Sequence, residues 1–327
     1  MNIAIIGCGR IFNKHHNAIK RNSKINLIGI CDIDKDRLSS IDIDNNLKFQ
    51  KIENILTIRN LDLVTIATPS GMHPKHSIMF LKNGFNILIE KPLGTSIKDV
   101  KSIFKNNPHR KKIYIVKQNR FNPTIIKLKK LLVNNFFGKI HFVQSNIFWS
   151  RDNNYYDSDS WRGTKKLDGG ALLNQASHYV DLIFWLFGKP KFSNSIRSRQ
   201  RAQIETEDTF SSNLILENGI HCNLNVTTST PHSNLEGSIT IISEKASIKI
   251  SGTALNQVEY VISGEKKFND LRNLNYKIDN IYGYGHENIY KEIYKDLILN
   301  KKNDSVPALD GIPSLEWILK QYKGKIY

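Results

Sequence analysis

Three stretches of the chain carry residue types that could do chemistry. The first is Gly7-Cys8-Gly9-Arg10-Ile11-Phe12, which follows an apolar run and opens a helical pattern. Glycines at positions 7 and 9 permit a tight turn and let a pyrophosphate approach the backbone, where a helix N-terminus favours its charge. A dinucleotide fingerprint has a third glycine where Phe12 stands. That glycine serves helix–strand packing, so its replacement predicts a shifted helix rather than lost phosphate binding. Asp32 closes the next apolar run, at 25–31. A carboxylate there accepts hydrogen bonds from an adenosine ribose and repels a 2′-phosphate, which favours NAD over NADP. Lys35 and Arg37 close by weaken that preference. The competing reading is a structural glycine turn in a sheet that binds something else.

The second stretch is Glu90-Lys91-Pro92, at the end of another apolar run. A lysine beside a nicotinamide cation and away from water suits proton transfer. On local sequence alone an exposed surface lysine reads equally well. The third is Gly169-Gly170-Ala171-Leu172-Leu173-Asn174, continuing through His178 to Asp181. On one continuous helix, Asn174 and His178 share a face and Asp181 lies near it. An imidazole with an amide and a carboxylate in reach could be an oriented acid/base, or simply a structural helix histidine. No second His or Cys lies within a turn, so a metal is not expected. His286, in Gly283-Tyr284-Gly285-His286, is a further candidate to return to the pocket.

Elements must hold these residues in place. The runs Asn2–Ile6, 25–31, 61–67, Asn86–Ile89 and 113–117 alternate with helical patterns. That alternation predicts a parallel sheet with right-handed crossovers, and each motif so far named before residue 121 sits at the carboxyl end of a strand, where such sheets bind ligands. After about residue 121 the pattern changes to a helix (123–135), a strand (141–149), a polar aromatic loop (150–168) and a helix (170–187). Strand–turn–strand signals over 206–261 predict an antiparallel sheet, and helices over 287–299 and Ile312–Gln321 close the chain. The expected organisation is α/β: a parallel sheet over 1–121 and, over 122–327, a second domain with an antiparallel sheet. A sheet with one free apolar face needs a cover, which predicts a homodimer or homotetramer.

Composition excludes several other classes. The chain has 327 residues, 40% hydrophobic and 24% charged, enough for a large core without staples. Its three cysteines (Cys8, Cys31, Cys222) are far apart, which rules out a disulfide framework or a cysteine-rich zinc site. No apolar run reaches the roughly 18 residues of a membrane span. The chain enters Ile-Ala-Ile-Ile at once, without a basic n-region or cleavage site, so a cytoplasmic location is expected. The net charge of +17 is scattered rather than blocked, and no helix-turn-helix, zinc-finger or RNA-binding signature accompanies it. Nucleic acid is therefore not the expected partner; an anionic small substrate is the functional reading of the charge, and bland surface lysine the other.

Taken in order, the Gly7/Gly9 turn, Ala67-Thr68-Pro69-Ser70-Gly71-Met72-His73, Glu90-Lys91-Pro92 and Gly-Gly-x-Leu-x-Asn-x-x-x-His-x-x-Asp resemble the pattern of the Gfo/Idh/MocA oxidoreductases over nearly the whole chain. The resemblance implies an N-terminal Rossmann parallel sheet plus a C-terminal α/β domain with an open, largely antiparallel sheet, and NAD(P)-dependent oxidation of a sugar or polyol hydroxyl with Lys91 and His178 as the catalytic pair. It places Gly7, Gly9, Arg10, Ile11, Asp32, Thr68, Pro69, Ser70 and His73 at the cofactor, with Glu90 and Lys91 flanking the nicotinamide ribose. Asn119 and Arg120 then border the active site. Many family members carry Asp where Asn174 stands, and an amide can orient a substrate but not relay a proton. Asn there, together with Tyr155-Tyr156-Asp157-Ser158-Asp159-Ser160-Trp161-Arg162-Gly163-Thr164, resembles the sugar-nucleotide branch. That likeness implies an anionic substrate, a UDP-N-acetylhexosaminuronic acid oxidised at C3 in lipopolysaccharide or O-antigen synthesis. Arg162, with Arg151, Lys165 and Arg120, would meet its charges, and Tyr156 and Trp161, with Tyr155, would stack on it. The alternatives are a free sugar or inositol dehydrogenase of the same family and a non-catalytic NAD-sensing regulator.

Overall fold

The computed structural model describes residues 1–201, 203–278, 283–323 and 326–327, and the chain divides into two units. The first comprises Met1–Lys117 and His286–Leu315. Its six strands are β1 (Asn2–Ile6), β2 (Asn26–Cys31), β3 (Lys48–Phe49), β4 (Leu63–Ile66), β5 (Asn86–Ile89) and β6 (Ile113–Ile115). They form one parallel sheet in the order β3-β2-β1-β4-β5-β6. The run at 2–6 is almost unbroken Ile and Ala because helices cover both faces of a parallel sheet. Ile3, Ala4, Ile5, Leu63, Val64, Ile87 and Leu88 have no exposure at all. The strand order reverses at β1, so the turns after β1 and β4 open side by side at a switch point. The two-residue β3 was not foreseen, being too short to carry a period.

The domain boundary differs from the sequence reading, which gave 122–327 to one domain. Residues 286–315 fold with the first unit instead. The Ile115 N–H donates to the Val306 carbonyl at 3.1 Å, Tyr114 bridges Pro307, and Lys112 pairs with Asp296 at 2.6 Å. A segment distant in sequence thus satisfies the otherwise open edge of β6.

The second unit comprises Gln118–Gly285 and Glu316–Tyr327. Its strands are β7 (Ile140–Phe148), β8 (Pro190–Ser198), β9 (Thr209–Leu216), β10 (His221–Thr227), β11 (Glu236–Ser243), β12 (Ser247–Ser251) and β13 (Gln257–Ile262), in the order β13-β12-β11-β7-β10-β9-β8. Every pairing is antiparallel except β7 with β10, which is parallel, so the sheet is mixed and mostly antiparallel. Pairing strands so far apart in sequence leaves room for the long excursion between them. The edge strand β8 was also missed: it opens on proline and none of its residues is buried, so it shows no buried apolar alternation. One face carries Val143, Ile147, Leu214, Leu224, Ile239 and Ile241, all buried. Trp317 adds to that core, packing edge-on against Phe184 at 5.8 Å and Phe210 at 6.1 Å. Among the described residues no helix is long and apolar enough to cross a membrane.

Candidate active site

In the first unit, Gly7 adopts φ +100°, and a Cβ there would stand 2.4 Å from the Ala67 carbonyl oxygen. Only glycine lets the β1 turn press against the end of β4. Gly9 has a different reason: a Cβ would meet only the Arg37 guanidinium, at 3.7 Å. Phe12 occupies the third-glycine position fully buried, as the first residue of the helix Phe12–Lys20, with Ile11 at its N-cap and Arg10 exposed before it. Asp32 is tied into the same turn. Its Oδ2 accepts the Cys8 N–H at 2.7 Å and its Oδ1 accepts the Asp34 N–H at 2.9 Å. Each carboxylate oxygen can accept more than one bond, so two backbone donors fix the group without exhausting it. Arg37 pairs with Asp34 at 3.1 Å.

The turns after β4 and β5 are clamped together by His73. This buried imidazole contacts the Pro92 carbonyl through Nδ1 at 2.7 Å and the Thr68 carbonyl through Nε2 at 2.8 Å. Two carbonyl acceptors are both satisfied only by the imidazolium; burial opposes that charge, and the net effect holds His73 below its ordinary pKa. Thr68 Oγ1 also bonds His76 Nδ1 at 3.0 Å, Pro69 precedes the short turn Ser70–Met72, and Ser70 is buried. Glu90 is buried as well. Burial works against its charge, but hydrogen bonds from His15 and His286 outweigh this and keep its carboxyl well below the usual range. Lys91 follows it, half-buried, and the Lys91–Pro92 peptide is cis.

In the second unit the expected helix over 170–187 is two helices, Ala171–Asn174 and Ser177–Phe187. The break follows from Ala176, whose N–H reaches back to the Ala171 carbonyl at 2.9 Å and widens the turn. The shared-face argument for Asn174 and His178 therefore does not apply as made. Asn174 Nδ2 donates to Asp168 Oδ1, while Asp168 Oδ2 accepts the Gly163 N–H at 2.7 Å. His178, on the first turn of the second helix, bonds Gln118 through Nε2 at 3.1 Å. Asp181 accepts a bidentate pair from Arg120, at 2.8 and 2.7 Å. Arg120 also stacks on Trp185 at 5.2 Å, and Asn119 is buried beside it in sequence.

The loop carrying Tyr155–Thr164 is built by a short helix, Asn153–Asp157, whose N-cap Asp152 accepts the Tyr155 N–H at 2.9 Å. Tyr155 lies between two guanidinium groups, Arg151 at 5.1 Å and Arg162 at 4.5 Å. Arg151 in turn faces Trp149 at 5.2 Å and Arg162 faces Trp161 at 4.6 Å, so cations and rings alternate along the stack. Arg162 is held further by Asp159 at 3.2 Å. Tyr156 is buried, its hydroxyl 3.3 Å from Thr228 Oγ1, and burial pushes its pKa to about 12. Lys91 belongs to the first unit and His178 to the second.

Comparison with known proteins decides the family. The oxidoreductase-family model for the NAD-binding Rossmann fold matches residues 1–118, and the model for the family's C-terminal alpha/beta domain matches residues 129–323. The chain belongs to the Gfo/Idh/MocA oxidoreductase family. Among solved structures it is similar to the WlbA dehydrogenase from Bordetella pertussis in complex with NADH and UDP-GlcNAcA, at 34% identity and TM-score 0.92, covering 99% of this chain and 94% of that one. The corresponding WlbA from Chromobactrium violaceum, also with NADH and UDP-GlcNAcA, gives 34% identity, TM-score 0.90, and coverage of 99% and 93%. Among curated proteins, the glucose-6-phosphate 3-dehydrogenase of Bacillus subtilis is 23% identical over 214 residues, 63% of this chain and 59% of that protein.

For a Gfo/Idh/MocA protein the dinucleotide residues fit their coenzyme on this chain's own geometry: a glycine turn bordered over Gly9 only by the Arg37 guanidinium, and a carboxylate fixed just after β2. Sequence reasoning missed Gln118, Asp168, His15 and Tyr290 as partners of site residues. Asp168 had a local signal, since it opens the run into the double glycine. The others meet their partners only across the fold.

Proposed function

We propose that the chain is an NAD-dependent dehydrogenase that oxidises the C3 hydroxyl of a UDP-N-acetylhexosaminuronic acid, a step toward surface polysaccharides such as lipopolysaccharide or O-antigen. The observation that carries this is the likeness, at 34% identity over 99% of the chain, to two dehydrogenases crystallised with NADH and UDP-GlcNAcA. The cation–aromatic stack around Tyr155 supports it. Guanidinium groups pair bidentately with phosphate and carboxylate, and contacts with the rings and with Asp159 hold these in place.

In this reading Gly7, Gly9, Arg10 and Ile11 hold the pyrophosphate, and Asp32 holds the adenosine ribose. Thr68, Pro69, Ser70, Glu90 and Lys91 line the coenzyme's nicotinamide half, held by the His73 clamp. Bound NAD supplies the hydride acceptor. Lys91 takes the hydroxyl proton at Nζ, and His178, whose Nε2 already accepts the Gln118 amide N–H, orients the oxygen. Gln118 fixes the His178 ring, and Asp168 fixes the Asn174 amide that addresses the sugar. Asn119, Arg120, Tyr156, Trp161 and Arg162 complete the substrate side. Arg120 acts there through its pair with Asp181.

The protein is further proposed to work in the cytoplasm as a homodimer or homotetramer. The second face of the β7–β13 sheet bears Phe192, Ile196 and Ile242, exposed by 55%, 64% and 43%. A free sugar or inositol dehydrogenase of the same family is the second reading, and similarity to the glucose-6-phosphate enzyme, whose named substrate carries no nucleotide, weighs on that side. The deciding experiment presents UDP-N-acetylglucosaminuronate, UDP-N-acetylglucosamine, glucose 6-phosphate and myo-inositol, with NAD, to the purified protein. Absorbance at the NADH band should rise only with the uronate. A rise only with glucose 6-phosphate or inositol replaces the proposal by the second reading.

A further inference from the structure

A chain of buried polar groups runs through the first unit to the backbone of Lys91. Thr65 Oγ1 and the Tyr290 hydroxyl are 3.0 Å apart, and that hydroxyl bonds His15 Nδ1 at 2.8 Å. His15 Nε2 is 3.0 Å from Glu90 Oε1, and His286 Nε2 reaches the same oxygen at 3.3 Å. Glu90 Oε2 then accepts the Lys91 N–H at 3.0 Å. Exposure is 0% at Thr65, His15 and Tyr290, 4% at His286 and 6% at Glu90. The members come from three elements and a turn: β4, the helix Phe12–Lys20, the helix Gly285–Leu297, where His286 and Tyr290 share a face, and the turn after β5.

We propose that His15, His286 and Tyr290 are positioning residues that act through Glu90 to fix the direction of Lys91. Both imidazoles converge on Oε1, so the carboxylate has one orientation, with Oε2 facing the Lys91 amide. That bond fixes the plane of the 90–91 peptide and with it the direction in which the Lys91 side chain leaves the backbone. A buried carboxylate that lost these donors would pay the cost of an unpaired charge and would turn or take up a proton. Either change reaches Lys91 through the contact between its backbone N–H and Oε2. The titratable and charged groups that face Glu90 and its partners are Lys14 and His15 from the first helix, His286 and Tyr290 from the last, and His73 and Lys91 from the turns.

The ligating atoms of His15, Glu90 and His286 lie within 4.8 Å of one another, so a divalent metal is the competing occupant. The hydrogen-bond reading is favoured because the chain continues at both ends, through Tyr290 to Thr65 and through Oε2 to the Lys91 amide, with alternating donors and acceptors.

The inference rests on the proposed role of Lys91, and its test separates the two. Competitive acylation with acetic anhydride, read by mass spectrometry across pH, reports the reactivity of the Lys91 amine without any substrate. Glu90→Gln should change the acylation rate of Lys91 severalfold, since the carboxylate that holds its backbone amide is gone. With UDP-N-acetylglucosaminuronate and NAD, His286→Leu should lower kcat roughly tenfold or more with both KM values within about twofold, and His286→Gln should restore most of it. Tyr290→Phe should fall between them. An unmoved acylation profile in Glu90→Gln, or a His286→Leu enzyme with unchanged kcat, would overturn the inference. Stoichiometric zinc in the purified protein, with activity lost to chelation, would overturn it in favour of the metal. Lys91→Ala is the control: if it retains full kcat, the function reading fails; if it is inactive while the other variants behave as wild type, only this inference fails.

Discussion

Asp32 shows how much can hang on one side chain. Its oxygens already hold the Cys8 and Asp34 amides, so the carboxylate is placed before any ribose arrives. A charge-assisted hydrogen bond contributes roughly 1.5–3 kcal/mol. Asp32→Ala should therefore weaken NAD binding by about tenfold or more and narrow the preference over NADP, measured by calorimetric titration of both coenzymes. Equal loss for the two would remove the ribose role. Lys91 and His178 make a different claim, about the chemical step. Lys91→Ala and His178→Ala should each lower kcat by about 10²- to 10⁴-fold while circular dichroism stays native. Unaltered turnover in both would mean the catalytic pair is misassigned.

At the scale of elements, Gly169 and Gly170 lead into the broken helix with φ of +90° and +95°. A Cβ on Gly170 would stand 2.5 Å from Glu207 Oε2. Glu207 holds that helix start: its Oε1 accepts the Leu172 N–H and the Tyr322 hydroxyl, each at 2.9 Å. Its Oε2 has no partner among the described residues, and burial pushes its pKa up to about 7. Because the folded value is raised, the native state binds more protons than the unfolded chain between the ordinary carboxylate value and pH 7. The stability from this group is full at low pH and is lost as pH rises. The loss by pH 8 is about 3 kcal/mol. Denaturant unfolding should show Glu207→Gln gaining on the wild type as pH climbs from 5 to 8. Parallel curves for the two proteins would contradict the assignment.

At the scale of the molecule, the charge of +17 and the open sheet face lead to separate expectations. An anionic substrate drawn by a basic surface should show KM rising with ionic strength at fixed NAD, since added salt screens the attraction. If the exposed apolar side chains of β8 and β11 are covered by a second copy, native mass spectrometry should give a multiple of 37.5 kDa. Phe192→Glu with Ile196→Lys should then return the mass to that of a single chain. A wild-type protein that is monomeric at micromolar concentration would remove the self-association proposal.

The sequence by itself determined what is local. Apolar runs of period and length suited to a buried sheet named five strands of the first unit, and a glycine at position 7 announced a turn that no other residue could make. The order of motifs along the chain identified the family. What the sequence could not supply was pairing between residues far apart. It kept residues 286–315 out of the unit they complete, missed β3 and the polar edge strand β8, and treated 170–187 as one helix. It set Asn174, His178 and Asp181 together as neighbours, whereas the fold gives them Asp168, Gln118 and Arg120 as partners. The reason is physical: backbone periodicity is written residue by residue. The partner of a buried charge is chosen by desolvation in three dimensions, where Glu90 finds two imidazoles from opposite ends of the chain.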